Sequence, residues 1–243
     1  MLKPSKFDFH QRLAHKLGRM TDRPVRLLEL GCGRAEIPAE LLKKFPNVTY
    51  VGIEPDPTSC ATAKKNLSAF EHSTVLNGLA YGGVENAALR DPFDIVFSLS
   101  VLEHVKDLPT FIKFSADKTK QGGEIVHLYD LGHSLYPSSF KERVQVWLCN
   151  SPLLPFIPEN KIARYLSTEY VQGLLESNGC AVKDIAFRNL RGHSSVVRDL
   201  NDGANDQIMQ RLVDHEQWLS GLVTDIKKKE YLLPSICFWT VKG

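Results

Sequence analysis

Apolar residues Phe9, Leu13, Leu17 and Met20 recur at steps of four, four and three, the spacing of one helix face. The spacing predicts an amphipathic helix over residues 5–20, broken at Thr21 to Pro24. Val25 to Leu30 is then a short apolar run that stops at Gly31, Cys32 and Gly33, after which Ile37, Leu41 and Phe45 resume helical spacing. The predicted order is strand, tight turn, helix.

The same alternation continues. Val48 to Ile53 predicts a second strand, and Asp56 followed by Pro57 predicts a helix start, with a capping carboxylate and a preset φ at the first helical position. Thr74 to Asn77 and Phe93 to Leu99 predict the third and fourth strands and Leu108 to Ala116 a helix. A Gly122-Gly123 turn precedes a fifth strand at Gly123 to Tyr129. Strands alternating with helices imply an α/β fold, a doubly wound and mainly parallel sheet.

Beyond residue 130 the pattern loosens. Pro137, Pro152, Pro155 and Pro158 exclude any long regular element, so residues 131–180 are expected to form a helical insertion over the site within a single domain spanning 1–243. Ala181 to Phe187 predicts a sixth strand, followed by a polar loop. Ile208, Leu212, Leu219, Val223 and Ile226 predict one long amphipathic helix, and Ser235 to Val241 a final strand. Lys227-Lys228-Lys229 would then sit at the end of that helix, where cations complement its dipole.

Composition narrows the function classes. With 30 basic and 28 acidic residues the net charge is +2, which announces no nucleic-acid partner through the global field. Five widely spaced cysteines with no CxxC pair fit neither a disulfide framework nor a zinc site, and are read as reduced thiols of a cytoplasmic protein. The start of the chain has no apolar run of a secretory signal, and no stretch approaches the roughly 18 apolar residues of a membrane span. A soluble protein with a packed core is expected, and homodimerisation is left open.

Glu29-Leu30-Gly31-Cys32-Gly33-Arg34-Ala35 falls where a strand gives way to a helix, the place at which doubly wound sheets bind ligands. Glycines there let the backbone turn sharply and approach a ligand. A dinucleotide fingerprint would need a third glycine at the position of Glu36, whose carboxylate would repel a pyrophosphate. Glu54 ends the second strand about twenty residues beyond Gly33, the distance at which an acidic side chain meets a ribose diol.

The segment resembles the first motif of class I S-adenosylmethionine (SAM)-dependent methyltransferases, with Ala35 where many members have a third glycine. Pro92-Phe93-Asp94-Ile95-Val96-Phe97-Ser98 and the following Leu102-Glu103-His104 resemble the family's fourth motif. The resemblance covers roughly residues 25 to 130 and the closing strand. It implies a seven-stranded sheet with an antiparallel last strand, a helical insertion between strands five and six, and SAM as methyl donor. Cofactor contacts are implied at Glu29, Gly31, Gly33, Glu54, Pro55, Asn77, Gly78, Leu79 and Ser98. On this reading Gly31→Val and Glu54→Ala should weaken cofactor binding and leave the fold intact.

An alcohol acceptor profits from a base. His104 follows the fourth strand, and His127, Tyr129, Asp130 and His133 cluster at the end of the fifth, so His133, His104 and Asp130 are the candidate catalytic residues, without a metal. Lys141, Arg143, Lys161 and Arg164 lie among Tyr136, Trp147, Phe156 and Tyr165 in the insertion, a mixture suited to an anionic or sugar-containing ligand or to a solvated face. The insertion resembles bacterial methyltransferases of surface-polysaccharide type, which implies a small molecule or glycan hydroxyl as acceptor. Alternatives are a nitrogen or carbon acceptor, or a SAM-binding scaffold without transfer.

Overall fold

The computed structural model describes residues 3–190, 193 and 206–243. Seven strands, β1 Val25–Leu30, β2 Val48–Glu54, β3 Ser73–Asn77, β4 Phe93–Leu99, β5 Thr119–Asp130, β6 Cys180–Arg188 and β7 Ser235–Lys242, form one sheet in the order β3-β2-β1-β4-β5-β7-β6. All pairings are parallel except those of β7, which runs antiparallel to both β5 and β6. The chain winds outward through β1, β2 and β3, then returns to place β4 on the other side of β1. The switch point between β1 and β4 opens a crevice at the carboxyl ends of the strands.

Every residue of β4 is buried, because helices cover both faces of this central strand. On one face α1 (Pro4–Gly18), α2 (Glu36–Lys44) and α3 (Pro57–Asn66) pack through Leu13, Leu41 and Cys60 against Leu27, Tyr50 and Phe97. The other face carries α4 (Leu108–Lys118), whose Phe111 and Ile112 join Leu28, Val96 and Ile125. Asp56 caps α3 through the Ser59 N–H at 2.7 Å, with Pro57 in the first turn, as the Asp-Pro pair predicts.

Between β5 and β6 the insertion forms α5 (Gly132–Leu135), α6 (Phe140–Cys149) and α7 (Thr168–Ser177), linked by short 3₁₀ turns at Leu154–Phe156 and Glu159–Lys161. Val171 and Leu175 of α7 return to the sheet's core. The polar loop predicted after β6 lies largely outside the described residues.

Two expectations are corrected. The predicted long helix is two, α8 (Asp206–Leu222) and α9 (Ile226–Leu232), because Asp225 accepts the Lys228 N–H at 3.0 Å and caps a new helix. Lys227 and Lys228 therefore stand in the first turn of α9, at the unfavourable end of its dipole, while Lys229 falls in its last turn and rests over the Phe187 ring at 5.2 Å. The Gly122-Gly123 pair lies inside β5 rather than before it. A register irregularity opposite Phe93 and Ile95 absorbs the extra residues, with Gly122 at φ 72°.

All five cysteines are free and buried. Among the described residues no helix is long and apolar enough to cross a membrane, and no group of three His, Cys, Asp or Glu side chains could hold a metal ion.

Candidate active site

After β1 the backbone enters the left-handed region three times in five residues, at Gly31 (φ 77°), Gly33 (φ 55°) and Ala35 (φ 53°). A Cβ on Gly31 would fall 2.6 Å from Val101 Cγ2 on a left-handed backbone, so any other residue here is strained and requires the Val101 side chain to shift. At Ala35 the left-handed backbone costs an L-residue on the order of 1 kcal/mol. Its buried methyl packs in the core on the α2 face and offsets part of that cost. Ser100, just past β4, is a second strained non-glycine residue (φ 59°) and borders the same crevice.

Glu54 ends β2 facing this turn. Its Oε2 accepts the Gly33 N–H at 2.8 Å and its Oε1 the Asp56 N–H at 2.9 Å. Each carboxylate oxygen has two lone pairs, so both retain capacity for a further donor.

A cavity of about 580 Å³ opens here, bordered by Gly31, Glu54, Pro55, Leu79, Ser100 and His104. That is the size range of small-ligand sites. Across Gly31 it meets a groove of about 240 Å³ bordered by Glu29, Gly33, Leu99 and Lys6 of α1. His104 also borders a third space of about 260 Å³, shared with His133, Glu142 and Gln145. His104 thus stands at the junction between the crevice and the insertion. Glu159 closes the crevice from the insertion side, accepting from the Tyr81 hydroxyl and, at 3.0 Å, from the Lys106 N–H.

Burial governs the electrostatics. Glu29 is enclosed, with the Tyr50 hydroxyl donating to its Oε2 at 2.7 Å, and desolvation pushes its pKa up to about 8. Glu103, whose Oε1 accepts the Asp130 N–H at 3.1 Å, is likewise raised to about 8 by burial. His104 Nδ1 lies 2.6 Å from the Ile162 carbonyl oxygen. A carbonyl can only accept, so Nδ1 carries the hydrogen and Nε2 of the neutral ring presents its lone pair.

Not every sequence-predicted residue reaches the cavities. Asn77 turns its amide to the Glu54 and Pro55 carbonyls at 2.9 and 3.2 Å, and the Gly78 N–H donates to Glu54 O at 3.1 Å, so both brace the loop beneath the crevice. Ser98 is fully buried inside β4, its hydroxyl 2.8 Å from His127 Nδ1, because the parallel register sets these two residues side by side. Ser98 therefore lies in the core rather than at the crevice. His127, with Ser115 on its other nitrogen at 3.2 Å, is held neutral by burial, its pKa lowered to about 3.

Asp130 accepts the Gly132 N–H at 2.7 Å and pairs with Lys3 at 3.0 Å, at the start of α5. Asp94 lies at the opposite, amino-terminal edge of the sheet, tied to Arg23, Lys120 and the Arg26 N–H. Lys6, Ser100 and Glu159 escaped the sequence reading. Lys6 and Glu159 come from segments remote from the glycine turn, and only Ser100, two residues past Ser98 at the end of β4, carried a positional signal.

The fold defines a doubly wound α/β protein with a crevice of small-ligand size at the switch point, bordered by a glycine turn and a carboxylate. A family model described as a methyltransferase domain matches residues 5–184, and the chain belongs to this family of class I SAM-dependent methyltransferases. The ubiquinone biosynthesis O-methyltransferase of Rhodopseudomonas palustris (strain BisB18) is 32% identical over 102 residues, 42% of this chain and 38% of that protein. The chain thus matches well under half the length of such curated relatives.

Among solved structures, the plantazolicin methyltransferase BamL, in complex with a desmethylPZN analog and SAH, superposes with a TM-score of 0.59 at 15% identity, covering 97% of this chain and 84% of that one. The [4+2]-cyclase SpnF superposes at 0.56 with 13% identity, covering 96% and 80%. These likenesses are of fold alone.

Proposed function

We propose that the chain binds SAM along the crevice and transfers its methyl group to a hydroxyl oxygen of a small molecule or glycan sugar, seated in the space between His104 and His133 under the cap of residues 131–180. The observation that carries this reading is the position of His104, which borders both the crevice and the adjoining space.

The residues present fit the cofactor. Glu54 has acceptor capacity for a ribose diol, while Pro55 and Leu79 offer apolar surface to the adenine. The groove beside Gly31 offers Lys6 to a carboxylate and Glu29 to an ammonium. When bound, SAM supplies a methyl carbon made electrophilic by its sulfonium. The chain's own task is to align the acceptor and remove its proton. His104 Nε2 takes that proton, its ring fixed by the Ile162 carbonyl, and His133 and Gln145 orient the acceptor. Asp130 positions α5 through Gly132. The O-methyltransferase name of the curated relatives supports oxygen as the acceptor atom.

A second reading, cofactor binding without methyl transfer, keeps the same crevice, because a fold does not fix the chemistry performed on it. Calorimetry with SAM, S-adenosylhomocysteine (SAH) and NAD tests the cofactor: the first two bind and NAD does not. Incubation with SAM and a panel of sugar, phenolic and amine acceptors, read by mass spectrometry, then separates the readings. Methylated hydroxyl products support the first, and bound SAM with no product from any acceptor supports the second.

A further inference from the structure

Helix α6 has its apolar side outward. Phe140, Val144 and Trp147 stand at i, i+4 and i+7 and so share one face. That face meets solvent, with Phe140 81% and Trp147 64% exposed. The opposite face holds buried Cys149 and the polar Glu142 and Gln145, which border the space beside His133. The orientation is fixed rather than incidental. Ser139 caps the helix through the Glu142 N–H at 3.2 Å, and Gln145 Nε2 donates to the Lys161 carbonyl at 2.6 Å.

The exposure continues past the helix end, where Leu153 and Phe156 project, the latter 83% exposed. Large side chains left together in water gain nothing for folding, and such a patch marks a surface that is covered in use.

The charges beside the patch identify what covers it. Lys141 and Arg143 project on either side of the Phe140-Val144-Trp147 stripe, both exposed, and neither has a carboxylate partner among the described residues. The one acid of the helix, Glu142, turns away to the Ser138 N–H and hydroxyl. A second copy docked across a two-fold axis would bring these cations against their own images. An apolar face flanked by cations is instead the pattern of a helix lying in a lipid interface.

We propose that α6 and the Leu153-Phe156 turn seat on the surface of an anionic phospholipid bilayer. The aromatic side chains enter the boundary between headgroups and acyl chains, and Lys141 and Arg143 lie in the phosphate layer. Seating of this kind sets the space lined by the inner face of α6 directly above the lipid. The inference concerns a surface and stands apart from the methyl-transfer reading.

The test is flotation of the full chain with vesicles of phosphatidylglycerol and phosphatidylcholine against phosphatidylcholine alone. Wild type floats with the anionic vesicles and less so as salt is raised. Trp147→Glu and Phe140→Ser each weaken binding about tenfold, and Lys141→Glu and Arg143→Glu roughly fivefold each. Brominated acyl chains quench the tryptophan fluorescence of wild type but not of Trp147→Phe. Circular dichroism of each variant matching wild type assigns the loss to the surface rather than to unfolding. Absence of flotation with either vesicle, or flotation indifferent to these substitutions, overturns the proposal. A wild-type dimer that Trp147→Glu converts to monomer, without vesicle binding, assigns the face to a second copy instead.

Discussion

Glu54 Oε2 accepts the backbone N–H of Gly33 at 2.8 Å, joining the end of β2 to the glycine turn that follows β1. One carboxylate thereby fixes the floor of the crevice and keeps lone pairs for a ligand. Glu54→Gln would turn an amide N–H₂ toward a backbone donor and withdraw one acceptor. SAH affinity should fall between about tenfold and a hundredfold, the loss of one or two charge-assisted hydrogen bonds. Calorimetry measures this, and unchanged affinity would mean that the cofactor lies elsewhere.

Gly31→Val acts on more than binding. The sequence-level expectation is an intact fold, yet a Cβ here meets Val101 Cγ2 at 2.6 Å on a left-handed backbone. Melting temperature should drop by several degrees together with SAH binding, at roughly 2–4 °C per kcal/mol for a chain of this size. Thermal denaturation beside calorimetry reads both effects.

His104→Ala should lower kcat by about a hundredfold or more for a hydroxyl acceptor while changing KM little, because removal of the base acts on the transition state. An amine acceptor, already neutral at the reacting pH, should show a far smaller loss. Equal losses for both acceptors would assign His104 to packing.

Glu29 is protonated near neutral pH, since burial raises its pKa to about 8. An ammonium arriving beside it lowers that pKa and expels the proton. SAM binding at pH 7 should therefore release protons, seen as a calorimetric enthalpy that differs between phosphate and Tris buffers. Glu29→Gln should remove the buffer dependence.

Stability should vary with pH in two opposite ways. His127 is held near pKa 3 in the fold, while an unfolded histidine takes up its proton near 6.5. The stability this lends is present above pH 6.5 and lost as pH falls toward 3, about 2 kcal/mol at pH 5. Glu103 has the reverse sign, because its folded pKa of about 8 exceeds the unfolded value. Its contribution is full below pH 4.5 and declines as pH rises to 8. Urea midpoints should fall from pH 6.5 to 8 in wild type and less steeply in Glu103→Gln. The pH 5 deficit should shrink in His127→Asn.

Most strands and helices were legible in the chain because each rests on local chemistry. Asp56-Pro57 specifies a helix start wherever it sits, and the apolar run of β4 marks a strand covered on both faces. The errors arose where a local signal competed with another. A continuous apolar spacing from Ile208 to Ile226 concealed the break that the Asp225 cap imposes. Ser98 belongs to the fourth motif yet points into the core, where β4 pairs with β5 in a register that sets it against His127. The side toward which a strand residue points depends on that neighbour.

The sequence by itself determined the alternating elements, the glycine turn after β1 and the carboxylate ending β2, since short-range sterics and spacing fix them. Only the tertiary structure decided that Lys6 of α1 reaches that turn, that His104 stands between two spaces, and that α6 shows its aromatic face to solvent. Each of these depends on segments far apart in the chain being packed together, and the packing is set by how the helices fill the two faces of the sheet, which no local pattern encodes.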